Sequence, residues 1–136
     1  MSNGSTETEA IGRRIGDALC SGMVVSLQGP LGVGKTTLVR GIAQAIGIKD
    51  DITSPSFTII SMYRGKIDLY HMDLYRIGSE DELIDLGLED MFYGDGISVI
   101  EWGERAVSLL PDDHVCVKMA FVGIAGREIS IRGLTV

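Results

Sequence analysis

The chain has 136 residues, 45% of them apolar, enough for one compact domain over residues 1–136 with a core that needs no staples. A net charge of −7 and a pI near 4.7 argue against a broad basic surface of the kind that grips phosphodiester backbones. No apolar run approaches the roughly 20 residues that span a bilayer. With Cys20 and Cys116 far apart and no signal-peptide pattern, reduced thiols and a cytoplasmic location are expected.

In chain order, Ser5 and Thr6 precede an acidic first turn, and Ile11, Ile15, Ala18 and Leu19 recur at helical spacing until Gly22, which predicts a first helix. Met23–Gln28 is expected as a buried strand. It leads into Gly29-Pro30-Leu31-Gly32-Val33-Gly34-Lys35-Thr36, which fits G-x-x-x-x-G-K-[ST]. In such a loop the glycines let the backbone curl until successive N–H groups point into one concavity, backed by the positive end of the next helix. The backbone of Leu31, Gly32, Val33 and Gly34 should therefore cradle phosphate oxygens. Lys35 should reach the β and γ phosphates, Thr36 should offer its hydroxyl to Mg²⁺, and Thr37 can bond another phosphate oxygen. The helix that follows buries Leu38, Ile42, Ala45 and Ile46 and ends at Gly47.

The proline-marked stretch Ile52–Ser56 leads into a predicted hairpin, Phe57–Tyr63 and Lys66–Met72, turned at Arg64-Gly65. Ser79-Glu80-Asp81-Glu82 reads as a capping box opening a short helix that Gly87 ends. Ile97–Ile100 is a short apolar strand carrying Glu101 and Trp102, and Glu104–Leu110 forms one or two helical turns before Pro111. A closing hairpin pairs about Val115–Phe121 with Glu128–Arg132 through Gly123 and Gly126. The expected fold class is α/β, with a mixed central sheet and flanking helices.

Ligands of open α/β sheets gather outside the carboxyl ends of the strands, which singles out Asp73 and Glu101, each just past an apolar strand. Either can approach a metal held by Thr36, and the other can orient or deprotonate the attacking water. The hydroxyl-rich Thr53–Thr58 segment suits a turn and a γ-phosphate sensor equally well. His71 reads first as a hydrogen-bonded structural residue of its strand, Trp102 as a core or rim aromatic, and Arg127 as an exposed charge able to swing onto a nucleotide.

Taken together, Gly29–Thr37, Ser54-Pro55-Ser56-Phe57, His71-Met72-Asp73-Leu74-Tyr75-Arg76 and Glu101-Trp102 give a resemblance over nearly the whole chain. It resembles the TsaE family, also called YjeE. The resemblance implies a single-domain P-loop ATPase with ATP and Mg²⁺ as ligands, required for threonylcarbamoylation of adenosine 37 in transfer RNA. Such a subunit acts on the transferase subunit and its paralogous scaffold, TsaD and TsaB, and does not itself transfer the group. It meets transfer RNA only through those partners, and no membrane is involved. The resemblance further implies that Thr36 and Glu101 match Mg²⁺ positions and Asp73 a second acidic position. Ser54–Phe57 matches a switch-like loop. Ser5 and Thr8, with Gly126-Arg127, match positions flanking the nucleotide. Pro30 and Gly103 depart from the common family pattern without touching a phosphate-binding role.

No arginine finger is obvious, which implies weak hydrolysis by the subunit alone and dependence on a partner. A GTPase is disfavoured because the chain lacks Asn-Lys-x-Asp. A small-molecule kinase remains a rival but wants an arginine-bearing lid, and after Arg105 only Arg127 and Arg132 occur. A nonenzymatic ATP-gated interaction module is the other alternative.

Overall fold

A computed structural model describes residues 2–52, 60–75, 77, 80–85, 87, 92 and 94–134. Helix α1 (Ser5–Ala18) is followed by β1 (Val24–Gln28) and α2 (Lys35–Ala45). The hairpin strands β2 (Ile60–Tyr63) and β3 (Leu69–Asp73) come next, then α3 (Glu80–Asp85) and β4 (Ile97–Glu101). A 3₁₀ turn (Gly103–Ala106) precedes the closing hairpin of β5 (Val115–Val122) and β6 (Gly126–Arg132). The six strands form one mixed sheet in the order β2-β3-β4-β1-β5-β6. Strands β3, β4, β1 and β5 run parallel, and the two edge strands are antiparallel to their neighbours.

The apolar runs explain which strands lie in the middle. Every residue of β4 and all but the last of β1 are buried, as expected for parallel strands covered on both faces. On one face Val25, Leu27, Val99 and Val117 pack with Ile15, Leu38, Val39 and Ile42 of the two long helices. On the other, Val24, Met72 and Ile100 pack with Phe92, Ala106 and Leu110.

The expected elements recur with adjusted ends. Helix α1 starts at Ser5, so neither Ser5 nor Thr6 caps it. Gly4 holds the cap position without a side-chain bond, and Glu7 accepts instead from the Asn3 backbone N–H at 2.8 Å. The β2–β3 hairpin has a wider turn than expected, since the register closes at Tyr63 and Leu69. Ser79 of the expected capping box lies outside the described residues, while Gly87 does donate to the Ile84 carbonyl at 3.0 Å behind α3. Cys20 and Cys116 are both free thiols. Among the described residues, no helix is long and apolar enough to cross a membrane.

Helices α1 and α2 cross at a distance set by glycine. A Cβ on Gly41 would stand 2.0 Å from the Glu9 carbonyl oxygen, and one on Gly12 2.2 Å from that of Leu38. Backbone meets backbone there, so no flexible side chain can yield. Gly41→Ala should gain about 1 kcal/mol in helix propensity but force the helices apart, at about 1–3 kcal/mol or more for overpacking. The expected net result is a lower urea midpoint with an unchanged m-value.

Candidate functional site

The loop after β1 turns into α2 through Gly34, whose φ of 110° is left-handed. An L side chain would strain that conformation, so glycine is what lets the strand meet the helix with its first N–H groups facing the loop. The parallel register then lines up the acids. Glu101 is paired with Leu27 on one side and Asp73 on the other, at the carboxyl ends of adjacent strands. Its backbone is held from both sides, since Glu101 O accepts from Leu74 N at 3.1 Å and Trp102 N donates to Leu27 O at 2.9 Å.

These elements bring the two ends of the motif together. Thr36 Oγ1 lies 3.1 Å from Glu101 Oε2 and 3.4 Å from Oε1. Glu101 is only 4% exposed, and its Oε2 also meets His71 Nε2 at 2.6 Å. Asp73 Oδ1 accepts from the Tyr75 N–H at 3.0 Å. A cleft of about 320 Å³ opens between Leu31, Gly32, Gly34, Lys35, Thr36 and Thr37 on the loop side and Asp73, Glu101 and Trp102 on the strand side. A groove of about 340 Å³ at the other end of α2, beside Arg40, Gln44 and Asp51, shows that volume alone does not mark the site. Its chemistry does.

Lys35 is 5% exposed. Its Nζ donates to the Gly29 carbonyl and, at 3.5 Å, to that of Pro30, and it sits 3.9 Å above the Trp102 ring. Burial pulls its ammonium below the usual lysine range, and the carboxylates of Glu101, Glu104 and Asp73 oppose that shift. Trp102 is the sole described non-glycine residue with positive φ, at 60°. The Tyr75 ring packs against it, tilted by 44° with centroids 5.0 Å apart.

A second cavity of about 180 Å³ adjoins the loop, lined by Ser5, Thr8, Gly32, Val33, Gly34, Thr37 and Arg127. Arg127 is engaged rather than a free surface charge. Its Nε donates to Val33 O at 3.0 Å, and its guanidinium lies 4.5 Å from the Phe121 centroid. Ser2, which drew no attention in the sequence, ties this corner. It exchanges backbone bonds with Arg127 at 2.8 and 2.6 Å and meets Thr8 Oγ1 at 2.7 Å.

Residues 2–129 match the family model of TsaE, described as threonylcarbamoyl adenosine biosynthesis protein. The chain belongs to the TsaE family. It is 42% identical over 131 residues to the tRNA threonylcarbamoyladenosine biosynthesis protein TsaE of Treponema pallidum, covering 96% of this chain and 97% of that one. The Bacillus subtilis TsaE is 41% identical over 125 residues, covering 91% and 78%. The crystal structure of YdiB from Bacillus subtilis superposes with a TM-score of 0.80 at 34% identity, over 96% of this chain and 80% of that one. The fold is the TsaE form of the P-loop nucleoside triphosphatase.

The residues suit the Mg-nucleotide ligand expected of such a fold. A hydroxyl beside a buried carboxylate is the oxygen donor set Mg²⁺ prefers, and this ion takes its remaining ligands from phosphates and water. Among the described residues there is no cluster of three or more His, Cys, Asp or Glu that would form an all-protein metal cage. The Ser54–Phe57 switch lies outside the described residues. The sequence missed the His71–Glu101 contact. The two-residue spacing of His71 and Asp73 puts both on one face of β3, but only the β3–β4 register brings Glu101 alongside.

The lysine shift carries a pH prediction. The folded pKa is lowered from 10.5, so between the folded and unfolded values the unfolded chain binds more protons and stability rises with pH. The stability of the wild type relative to Lys35→Met should therefore climb as pH rises from neutrality towards 10.5, measured by urea unfolding. A flat difference would contradict the shift.

Proposed function

We propose that this chain binds ATP with Mg²⁺ and hydrolyses it to support threonylcarbamoylation of adenosine 37 in transfer RNA. It acts on a TsaD and TsaB pair and does not transfer the group itself. The observation that carries the reading is the Thr36–Glu101 bond of 3.1 Å beside the glycine loop, which joins the phosphate cradle to a carboxylate at a strand end. The proposal treats residues 1–136 as one ATPase domain working in the cytoplasm.

On this reading the backbone N–H groups of Leu31, Gly32, Val33 and Gly34 hold phosphate oxygens, and Thr37 adds a hydroxyl. Lys35 exchanges its loop carbonyls for phosphate oxygens, a gain because an anionic acceptor adds charge–charge attraction that a neutral carbonyl lacks. Thr36 and Glu101 hold the metal, with Asp73 as the second acid of the metal and water network. The bound ion supplies neutralisation of the charge that builds on the phosphates. Asp73 orients the attacking water, and Ser5 and Arg127 flank the nucleotide at the second cavity.

Among the described residues, Arg105 and Arg127 both donate to backbone carbonyls, an arrangement consistent with partner dependence. Arg105 donates to Ile77 O at 3.0 Å and Arg127 to Val33 O at 3.0 Å. On this reading a partner completes the charge stabilisation.

Lys35→Ala should abolish nucleotide binding in calorimetry. Glu101→Ala should spare binding more than turnover, lowering kcat on the order of 100-fold, the equivalent of about 2.7 kcal/mol of lost charge stabilisation. Phosphate release and transfer-RNA modification, assayed with and without the partner pair, provide the check. ATP-dependent docking with no phosphate release above background would leave a nucleotide-gated module in place of an ATPase.

A further inference from the structure

His71 is wholly buried, and among the described residues its side chain makes one polar contact, from Nε2 to Glu101 Oε2 at 2.6 Å. An ionised carboxylate offers only acceptors, so Nε2 carries the hydrogen of this bond. Nδ1 is left buried with no hydrogen-bond partner among the described residues. A histidine that merely filled the core would be a poor choice here. Its strand neighbours Leu69 and Met72 are fully buried and apolar, and an apolar side chain at this position would leave no polar atom unpartnered. The one return for burying the ring is its grip on Glu101.

That grip has a directional effect. Glu101 Oε2 takes both the imidazole bond and the shorter Thr36 contact, leaving Oε1 the less engaged oxygen, 3.4 Å from Thr36 Oγ1. A carboxylate at the end of two rotatable methylenes would otherwise sample several rotamers. We infer that His71 is a positioning residue that locks the Glu101 carboxylate through Oε2 and so presents Oε1 for the divalent cation of a bound Mg-nucleotide. The inference rests on the metal role given to Glu101 above. It parallels the way partners behind a metal ligand fix its orientation.

The test measures binding, not turnover. The full-length protein is titrated calorimetrically with a nonhydrolysable ATP analogue, in Mg²⁺ and in EDTA. The wild type should bind more tightly in Mg²⁺. His71→Leu should lose about tenfold or more of that enhancement while keeping its affinity in EDTA. His71→Gln, whose amide places a donor at similar reach, should recover most of it. Should His71→Leu fail to fold by circular dichroism, His71→Met, of glutamine's length but without a donor, takes its place. Full enhancement in the donor-less variant would overturn the inference, as would equal loss in His71→Gln. A wild type showing no enhancement would instead overturn the metal site itself, so the two failures are distinguishable.

Discussion

One hydrogen bond, from Thr36 to Glu101 at 3.1 Å, joins residues 65 positions apart, and the architecture is arranged to make it. Thr36 stands in the first turn of α2 and Glu101 at the last position of β4. They meet because β1 and β4 are parallel neighbours whose carboxyl ends coincide at Leu27 and Glu101. A register slip of one residue would turn Glu101 to the opposite face of the sheet. Burial of β4 on both faces opposes that slip, since it would drive Ser98 into the apolar layer beneath α1 and α2. Core packing and site geometry are thus the same constraint.

A second constraint acts at the exit of β4. Gly103 lies so close to β1 that a Cβ there would stand 2.0 Å from Ser26 Oγ. The chain must turn sharply to bring it in, and Trp102 takes up the turn with its left-handed backbone, a conformation costing about 1–3 kcal/mol for a non-glycine residue. Its N–H bond to Leu27 O and the bond from Arg105 N to Trp102 O, 2.9 and 3.0 Å, help offset that cost. So does the packing against Tyr75. The strained turn lays the indole under the Lys35 ammonium. A departure at Gly103 that seemed unconnected with phosphate binding therefore shapes the surroundings of the loop lysine.

Much of this was legible in the sequence, and the reasons for what was not are physical. The phosphate loop could be read because its function needs glycines and a lysine at fixed offsets along one short segment. Strands β1 and β4 could be read because burial on both faces demands continuous apolar runs. Asp73 and Glu101 were singled out by the rule that sites form at strand ends, and the register does place them side by side there. What escaped depends on which strands become neighbours. The pairing of His71 with Glu101 requires the β3–β4 register, and the ties of Ser2 to Arg127 and Thr8 require the N-terminal segment to bridge to β6. Neither has a local signature. The helix ends moved for a smaller reason: Gly4 leaves the cap position of α1 without a side-chain oxygen, so the nearest serine is not the cap.

The position of Lys35 shows how these constraints combine. Its ammonium is satisfied by two neutral carbonyls and an aromatic face, a cation–π contact worth roughly 0.5–2 kcal/mol, while burial lowers its affinity for a proton. Each of these partners is weaker than a phosphate oxygen, because an anionic oxygen adds charge–charge attraction that a neutral carbonyl or ring face lacks. The carboxylates of Glu101, Glu104 and Asp73 oppose that lowering. The result is a cation held in place without being neutralised by a salt bridge of its own. On the proposed function, a polyphosphate arriving at the loop then meets a cation bonded to neutral partners, and exchanging them for anionic oxygens runs downhill.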